Sequence, residues 1–135
     1  MSTFETLLKV AQGRLDEVSR EAGAAAEALS RLNEKLVALG RSHASAAASS
    51  SDVTIMIAAG NYMGRQRAER SELERQIVEQ RAVLDELRAK LTIAFREKSK
   101  FEQLIAQEQA RKARLAAELE QKQLDEAALR GVNRR

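Results

Sequence analysis

Residues 1–46 read MSTFETLLKVAQGRLDEVSREAGAAAEALSRLNEKLVALGRSHASA, and one spacing runs through all of them. Steps alternating between three and four from Met1 land on Met1, Phe4, Leu8, Ala11, Leu15, Val18, Ala22, Ala25, Leu29, Leu32, Leu36, Leu39, His43 and Ala46. Thirteen of these fourteen positions are apolar, against about six expected from a chain that is 44% hydrophobic. A repeat of 3.5 residues keeps one narrow apolar stripe on a partner helix only if the two helices wind left-handed around each other. Ser2 and Glu5 have the spacing of a capping box, which starts the helix almost at once. Gly13 and Gly23 lie off the stripe, while Ala22 and Ala25 thin its middle and allow close approach of a neighbour. The stretch predicts a coiled-coil helix over about residues 2–48.

The rest of the composition agrees. The chain has 135 residues, no Pro, no Cys and no Trp, and only 3% aromatics. At the usual ~5% proline such a chain would carry about seven, so their absence favours long uninterrupted helix. So few rings also argue against a compact multilayer core, where aromatics supply much of the buried area. Without cysteine there is no disulfide framework and no thiolate metal site, as in a reducing cytoplasm. His43 is the only histidine, too few for a histidine-based zinc site in one chain. The most apolar stretch, Val53–Ala59, is far shorter than the ~20 residues needed to span a bilayer. The opening Met1-Ser2-Thr3-Phe4-Glu5 lacks the basic start of a signal peptide, so a cytoplasmic protein without membrane insertion is expected.

The heptad pattern fails between Gly40 and Asp52, where small and hydroxylated residues replace leucine. Serine side chains compete with the helix for backbone hydrogen bonds, and Ser51 or Asp52 would cap a following helix. A turn is therefore expected at about 48–54, with Gly60-Asn61-Tyr62-Met63-Gly64 as the alternative bend. The same step count resumes over about 55–130 through Met56, Ala59 and Met63. It continues as Leu73, Ile77, Gln80, Leu84, Leu87, Leu91, Ala94, Lys98, Phe101, Ile105, Glu108, Lys112, Leu115 and Leu119. Ten of the fourteen positions from Leu73 to Leu119 are apolar, and no Gly or Pro occurs between Gly64 and Gly131.

These readings give an all-α fold: an antiparallel two-helix coiled coil, forming a single domain over 1–135, whose second helix is much longer than the first. Folding about residue 52 would set position n opposite about 104 − n. The first helix would then run out near residue 103, leaving roughly the last 30 residues to project alone. A lone amphipathic helix is marginal in water, so that end either frays or lies in a partner's groove.

Little in the chain could carry chemistry. Gly60-Asn61-Tyr62-Met63-Gly64 lacks the Lys and hydroxyl of a phosphate loop, and Ser49–Ser51 have no neighbouring base. Acidic pairs such as Asp85-Glu86 abound, but two helices build no concave pocket to separate their pKa values. No catalytic, cofactor or metal residue is expected, which points away from an enzyme. The pI of 9.5 invites a nucleic-acid reading, yet 23 basic against 20 acidic residues leave only +3. Signs alternate along Arg67-Ala68-Glu69-Arg70-Ser71-Glu72-Leu73-Glu74-Arg75, as on a solvated helix face. A phosphate-tracking surface would want an unbalanced basic stripe and stacking aromatics.

Three stretches resemble the FliJ family, the small coiled-coil component of the flagellar type III export apparatus. The opening Phe4-x-x-Leu7-Leu8-x-Val10-Ala11 leads into Arg14-Leu15-Asp16-Glu17. Asn61-Tyr62 is followed by Leu73-x-x-x-Ile77-x-x-Gln80. The end carries Glu120-Gln121-Lys122-x-x-Asp125-Glu126-x-Ala128-x-Arg130, the most specific of the three.

The resemblance implies a stalk similar to the central shaft of rotary ATPases, linking the hexameric export ATPase to the membrane export gate and to export chaperones. It places the protein in the cytoplasm, peripheral to the inner membrane when assembled; a monomer is expected, with self-association possible. By the same resemblance Leu73, Ile77 and Gln80 would meet the export gate. Leu119, Gln121, Lys122, Asp125 and Glu126 would meet the ATPase. Ala and Ser at 44–51, where relatives frequently carry tyrosine, depart from the family's turn. A generic self-associating coiled-coil scaffold and a basic helical nucleic-acid binder are the alternatives.

Overall fold

The computed structural model describes residues 3–48 and 53–133, and every one of them is helical. Helix α1 spans Thr3–Ala48 and α2 spans Val53–Asn133, the longer of the two. The two pack against each other, and no strand occurs among the described residues. The turn expected at about 48–54 falls mostly on residues 49–52, which lie outside the described residues. The alternative bend at Gly60–Gly64 is not taken: α2 passes through it as helix.

The chain divides into two compact units, residues 16–93 and a second made of 1–15 with 94–135. Within the larger unit, the apolar stripe of α1 turns inward as its spacing requires. Val18, Ala22, Leu29, Leu32, Leu36 and Leu39 are half-buried and Ala25 is buried, while nearly all intervening positions are exposed. The facing stripe of α2 is Met63, Gln66, Leu73, Ile77, Gln80, Leu84, Leu87 and Leu91, each buried or half-buried. The helices run antiparallel here, since Ser42 meets Tyr62 and Gln66. The buried core is thin: Ala25, Ile77 and Leu84 are its apolar members.

In the smaller unit Phe4, Leu8, Ala11 and Leu15 face Ala94, Lys98, Phe101, Ile105 and Glu108, all buried or half-buried. Alanine supplies the most enclosed positions, Ala11 and Ala94, where a small side chain lets two backbones approach. Lys98 holds its aliphatic stem in the seam while its ammonium reaches Glu102 at 3.6 Å, the usual behaviour of a long basic side chain at an apolar edge.

The register departs from the symmetric count in one respect. Folding about residue 52 would set residue 90 opposite Arg14, but Arg14 Nη1 bonds Glu97 Oε2 at 3.2 Å. Phe4 likewise shares a groove with Leu104, Gln107, Glu108 and Arg111, rather than facing residue 100. The difference is one heptad within this smaller unit, whereas in the larger unit Ser42 meets Tyr62, the residue that the symmetric count sets opposite it. Slipping two 3.5-residue stripes by seven residues returns every apolar position to the seam, so periodicity cannot distinguish the two registers. α1 therefore stays alongside α2 as far as Glu108–Arg111, and the uncovered end is shorter than the 30 residues expected.

Charged faces hold each helix from outside. Arg70–Glu74, Lys90–Glu86 and Lys112–Glu108 are among the i,i+4 pairs, at 3.1, 3.9 and 3.3 Å. Exposed pairs of this kind contribute roughly 0.3–0.5 kcal/mol each. They favour helix locally without selecting which helices meet.

Candidate interaction surfaces

Among the described residues no cluster of His, Asp and Glu could hold a metal ion, and no helix is long and apolar enough to cross a membrane. Four regions stand out.

The first is the free end of α2. Glu108 is the last half-buried residue, and every position from 109 to 133 is exposed while remaining helical. Beyond Arg111, which still shares a groove with Phe4, roughly 33 Å of helix, at ~1.5 Å per residue, has no described side chain packed over it. Leu115, Leu119, Leu124, Leu129 and Val132 all stand open on it, Leu119 being 59% exposed. The expected contacts Leu119, Gln121, Lys122, Asp125 and Glu126 all lie here. Leu119, Lys122 and Glu126 share one face at helical spacing, and Gln121 Nε2 donates to Asp125 Oδ1 at 3.2 Å on a neighbouring one.

The second region holds Leu73, Ile77 and Gln80, which share a helix face because they are spaced four and three apart. That face is the seam. Ile77 is only 7% exposed, so its role is to pack against α1, while Leu73 and Gln80 keep partly open edges. Leu73 also lines an open groove of about 530 Å³ with Lys35, Leu39, Glu72 and Gln76.

Beside this groove Arg75 bridges two carboxylates one turn apart on either side, Glu72 and Glu79. The Arg75 hydrogen bond, helped by one from Gln76, pulls the Glu72 carboxyl from its ordinary 4.5 down to about 2. The same partners push the Arg75 guanidinium up, Glu72 foremost. All three side chains are exposed, so solvent screens the cluster. It fixes a charge pattern on the surface of α2 and adds little to stability.

A third feature was not foreseen. Gln66 is 5% exposed, the one buried polar residue among those described. Its Nε2 donates to Ser42 Oγ at 3.4 Å, and Ser42 Oγ lies 3.1 Å from the Tyr62 hydroxyl. The signal was present in the spacing, because Gln66 lies three residues after Met63 and seven before Leu73. The apolar count passed over it because the residue is polar.

The fourth region is a groove of about 650 Å³ in the larger unit. It is lined by the apolar Ala26, Leu29, Val37 and Leu84 and by the charged Glu34, Arg41 and Arg88.

Compared with known proteins, the chain matches the family described as "Flagellar FliJ protein" over residues 1–135. No curated protein and no solved structure matches it.

Proposed function

Because this chain belongs to the FliJ family, whose members are non-catalytic components of flagellar export, we propose that it is the stalk and adaptor of that machinery. In this reading it links the hexameric export ATPase to the cytoplasmic part of the export gate and to export chaperones. The observation that carries the reading is the exposed end of α2. A helix that keeps leucines uncovered over 109–133 holds its apolar side chains for another molecule, since alone they gain nothing in water.

Leu119, Gln121, Lys122, Asp125 and Glu126 form the ATPase contact. Sparse leucines and mixed charges give weak contacts that can be exchanged between equivalent subunits of a ring without locking to one. The gate contact is made by the open edges of Leu73 and Gln80, with Ile77 holding that edge in place from within the seam. The Glu72–Arg75–Glu79 cluster beside them supplies fixed charge for orientation.

The test is co-purification with the ATPase hexamer. Lys122→Glu combined with Asp125→Lys should abolish capture and leave far-UV circular dichroism unchanged, because both residues are exposed. Capture at the level of the unaltered protein would refute the ATPase contact. For the gate, Leu73→Glu should lower affinity for the gate's cytoplasmic domain, and unchanged affinity would remove that assignment.

A further inference from the structure

The exposed end of α2 carries a face that is its own complement. Continuing the seam's steps of three and four beyond α1 gives Leu119, Lys122, Glu126 and Leu129, spaced three, four and three apart. In the reverse direction the spacings are the same and the two charges exchange places. All four side chains are exposed, Leu119 at 59% and Leu129 at 64%. Lysine four residues before glutamate is the weaker order for pairing within one helix. Neither Lys122 nor Glu126 forms an ion pair with a described residue.

We propose that two copies of this chain pair antiparallel through these faces, about a two-fold axis at residue 124. Residue i of one copy then lies opposite residue 248 − i of the other. Each Leu119 meets the other copy's Leu129, and each Lys122 meets the other copy's Glu126. The contact is isologous, one patch serving both sides, as a two-fold dimer requires. The order of the charges along the face selects this arrangement, and the net charge of the segment does not enter. Parallel pairing in register would set Lys122 on Lys122 and Glu126 on Glu126. An antiparallel slip of one heptad in either direction would set a leucine against Lys122 or Glu126. Polar residues in a seam fix register and orientation in this way.

The pairing is not obstructed by α1. It occupies positions 115–133, beyond Arg111, where Phe4 still shares a groove with α2. One contact opposes it, because Asp125 lies next to the axis beside its own counterpart. That carboxylate is exposed, so solvent and salt screen the repulsion. Two leucine layers and two exposed ion pairs make a short, weak contact. It covers Leu119, Lys122 and Glu126, so self-pairing and the ATPase contact of the preceding reading exclude each other. The inference rests on the self-complementary face and does not need that reading.

Sedimentation velocity on the purified full chain, with no ATPase present, tests the pairing at concentrations up to about 1 mM, as a weak contact requires. The unaltered protein should pass from monomer to dimer and no further, because a closed two-fold contact leaves nothing to propagate. Lys122→Glu alone and Glu126→Lys alone should each raise the dissociation constant at least about tenfold, since two attractions become two repulsions. Mixing these two variants in equal amounts should restore a dimer, because each supplies the charges that the other lacks. The chain has no native cysteine, so a spin label at Ala113→Cys reports orientation. In the antiparallel dimer it should lie roughly 33 Å along the axis from its counterpart, at ~1.5 Å per residue, whereas parallel pairing would set the two labels side by side.

Helicity should be the same in all samples, because the altered side chains are exposed. A protein that stays monomeric at every concentration would overturn the proposal. So would single variants that associate like the parent, a mixture that stays apart, or labels that lie side by side. None of these measurements involves the ATPase, so a monomeric protein that is still captured by the hexamer sinks the pairing and leaves the stalk reading standing.

Discussion

Replacing Leu84 by alanine and, separately, Leu119 by alanine makes a quantitative comparison between the paired and unpaired parts of α2. Leu84 is 4% exposed at the seam, whereas Leu119 is 59% exposed beyond it. Truncating leucine to alanine removes about 2.4 kcal/mol of transfer free energy when the side chain is buried, at ~0.8 kcal/mol per methylene. A cavity term is normally added, giving costs of roughly 2–5 kcal/mol in deep cores. That term should be small here. No described side chain is wholly buried, so water and neighbouring side chains can enter the space.

We therefore expect Leu84→Ala to cost about 2–2.5 kcal/mol. For Leu119→Ala the loss should stay below about 1 kcal/mol, partly offset by the better helix propensity of alanine. Urea unfolding followed by far-UV circular dichroism measures both values. Equal costs, or a larger one at Leu119, would mean that the end of α2 packs on something within the chain. The argument for a free docking helix would then fail.

Other consequences can be checked independently. Gln66→Leu should leave stability unchanged or slightly raised, since an apolar residue replaces a buried amide, but should loosen the choice of register. The chain has no native cysteine, so spin labels at Ser30→Cys and Arg81→Cys can report this as a broadened distance distribution in the Gln66→Leu background. An unchanged distribution would deny Gln66 a role in register.

The Glu72 carboxyl should titrate near 2 by carbon NMR and move back toward 4.5 in Arg75→Gln, the hydrogen-bonding guanidinium being the main cause of its depression. Because the folded value is the lower one, the stabilisation linked to Glu72 is complete above pH 4.5 and fades as pH falls from there toward 2. Added salt should shrink it. Amide hydrogen exchange should be fastest over 112–133 within α2 and slowest around Ile77–Leu84, where its side chains in the larger unit are most enclosed. Uniform protection along α2 would contradict an uncovered end.

Much of the candidate site could be read from particular residues. Gln121-Lys122 and Asp125-Glu126 drew attention because plain heptad drift would not be expected to produce that order. Their exposure follows from their distance along α2 beyond the reach of α1. Leu73, Ile77 and Gln80 were placed on one face correctly by spacing, but spacing alone cannot tell a face that meets a partner from a face that meets α1. Burial of Ile77 decides that point. The Arg41–Arg88 groove could not be read at all, because its walls come from residues far apart in sequence that only packing brings together.

The sequence by itself determined that this chain is helical and that each helix offers one continuous stripe. Both properties are local: helix propensity, the absence of proline and a 3.5-residue apolar repeat act within a few turns. Tertiary structure decided where one stripe lies against the other. A slip of one heptad leaves every apolar residue in the seam, so the choice falls to contacts between distant residues, such as Arg14 with Glu97 and Ser42 with Gln66. That choice sets where α1 ceases to cover α2, and with it which leucines remain open for another molecule.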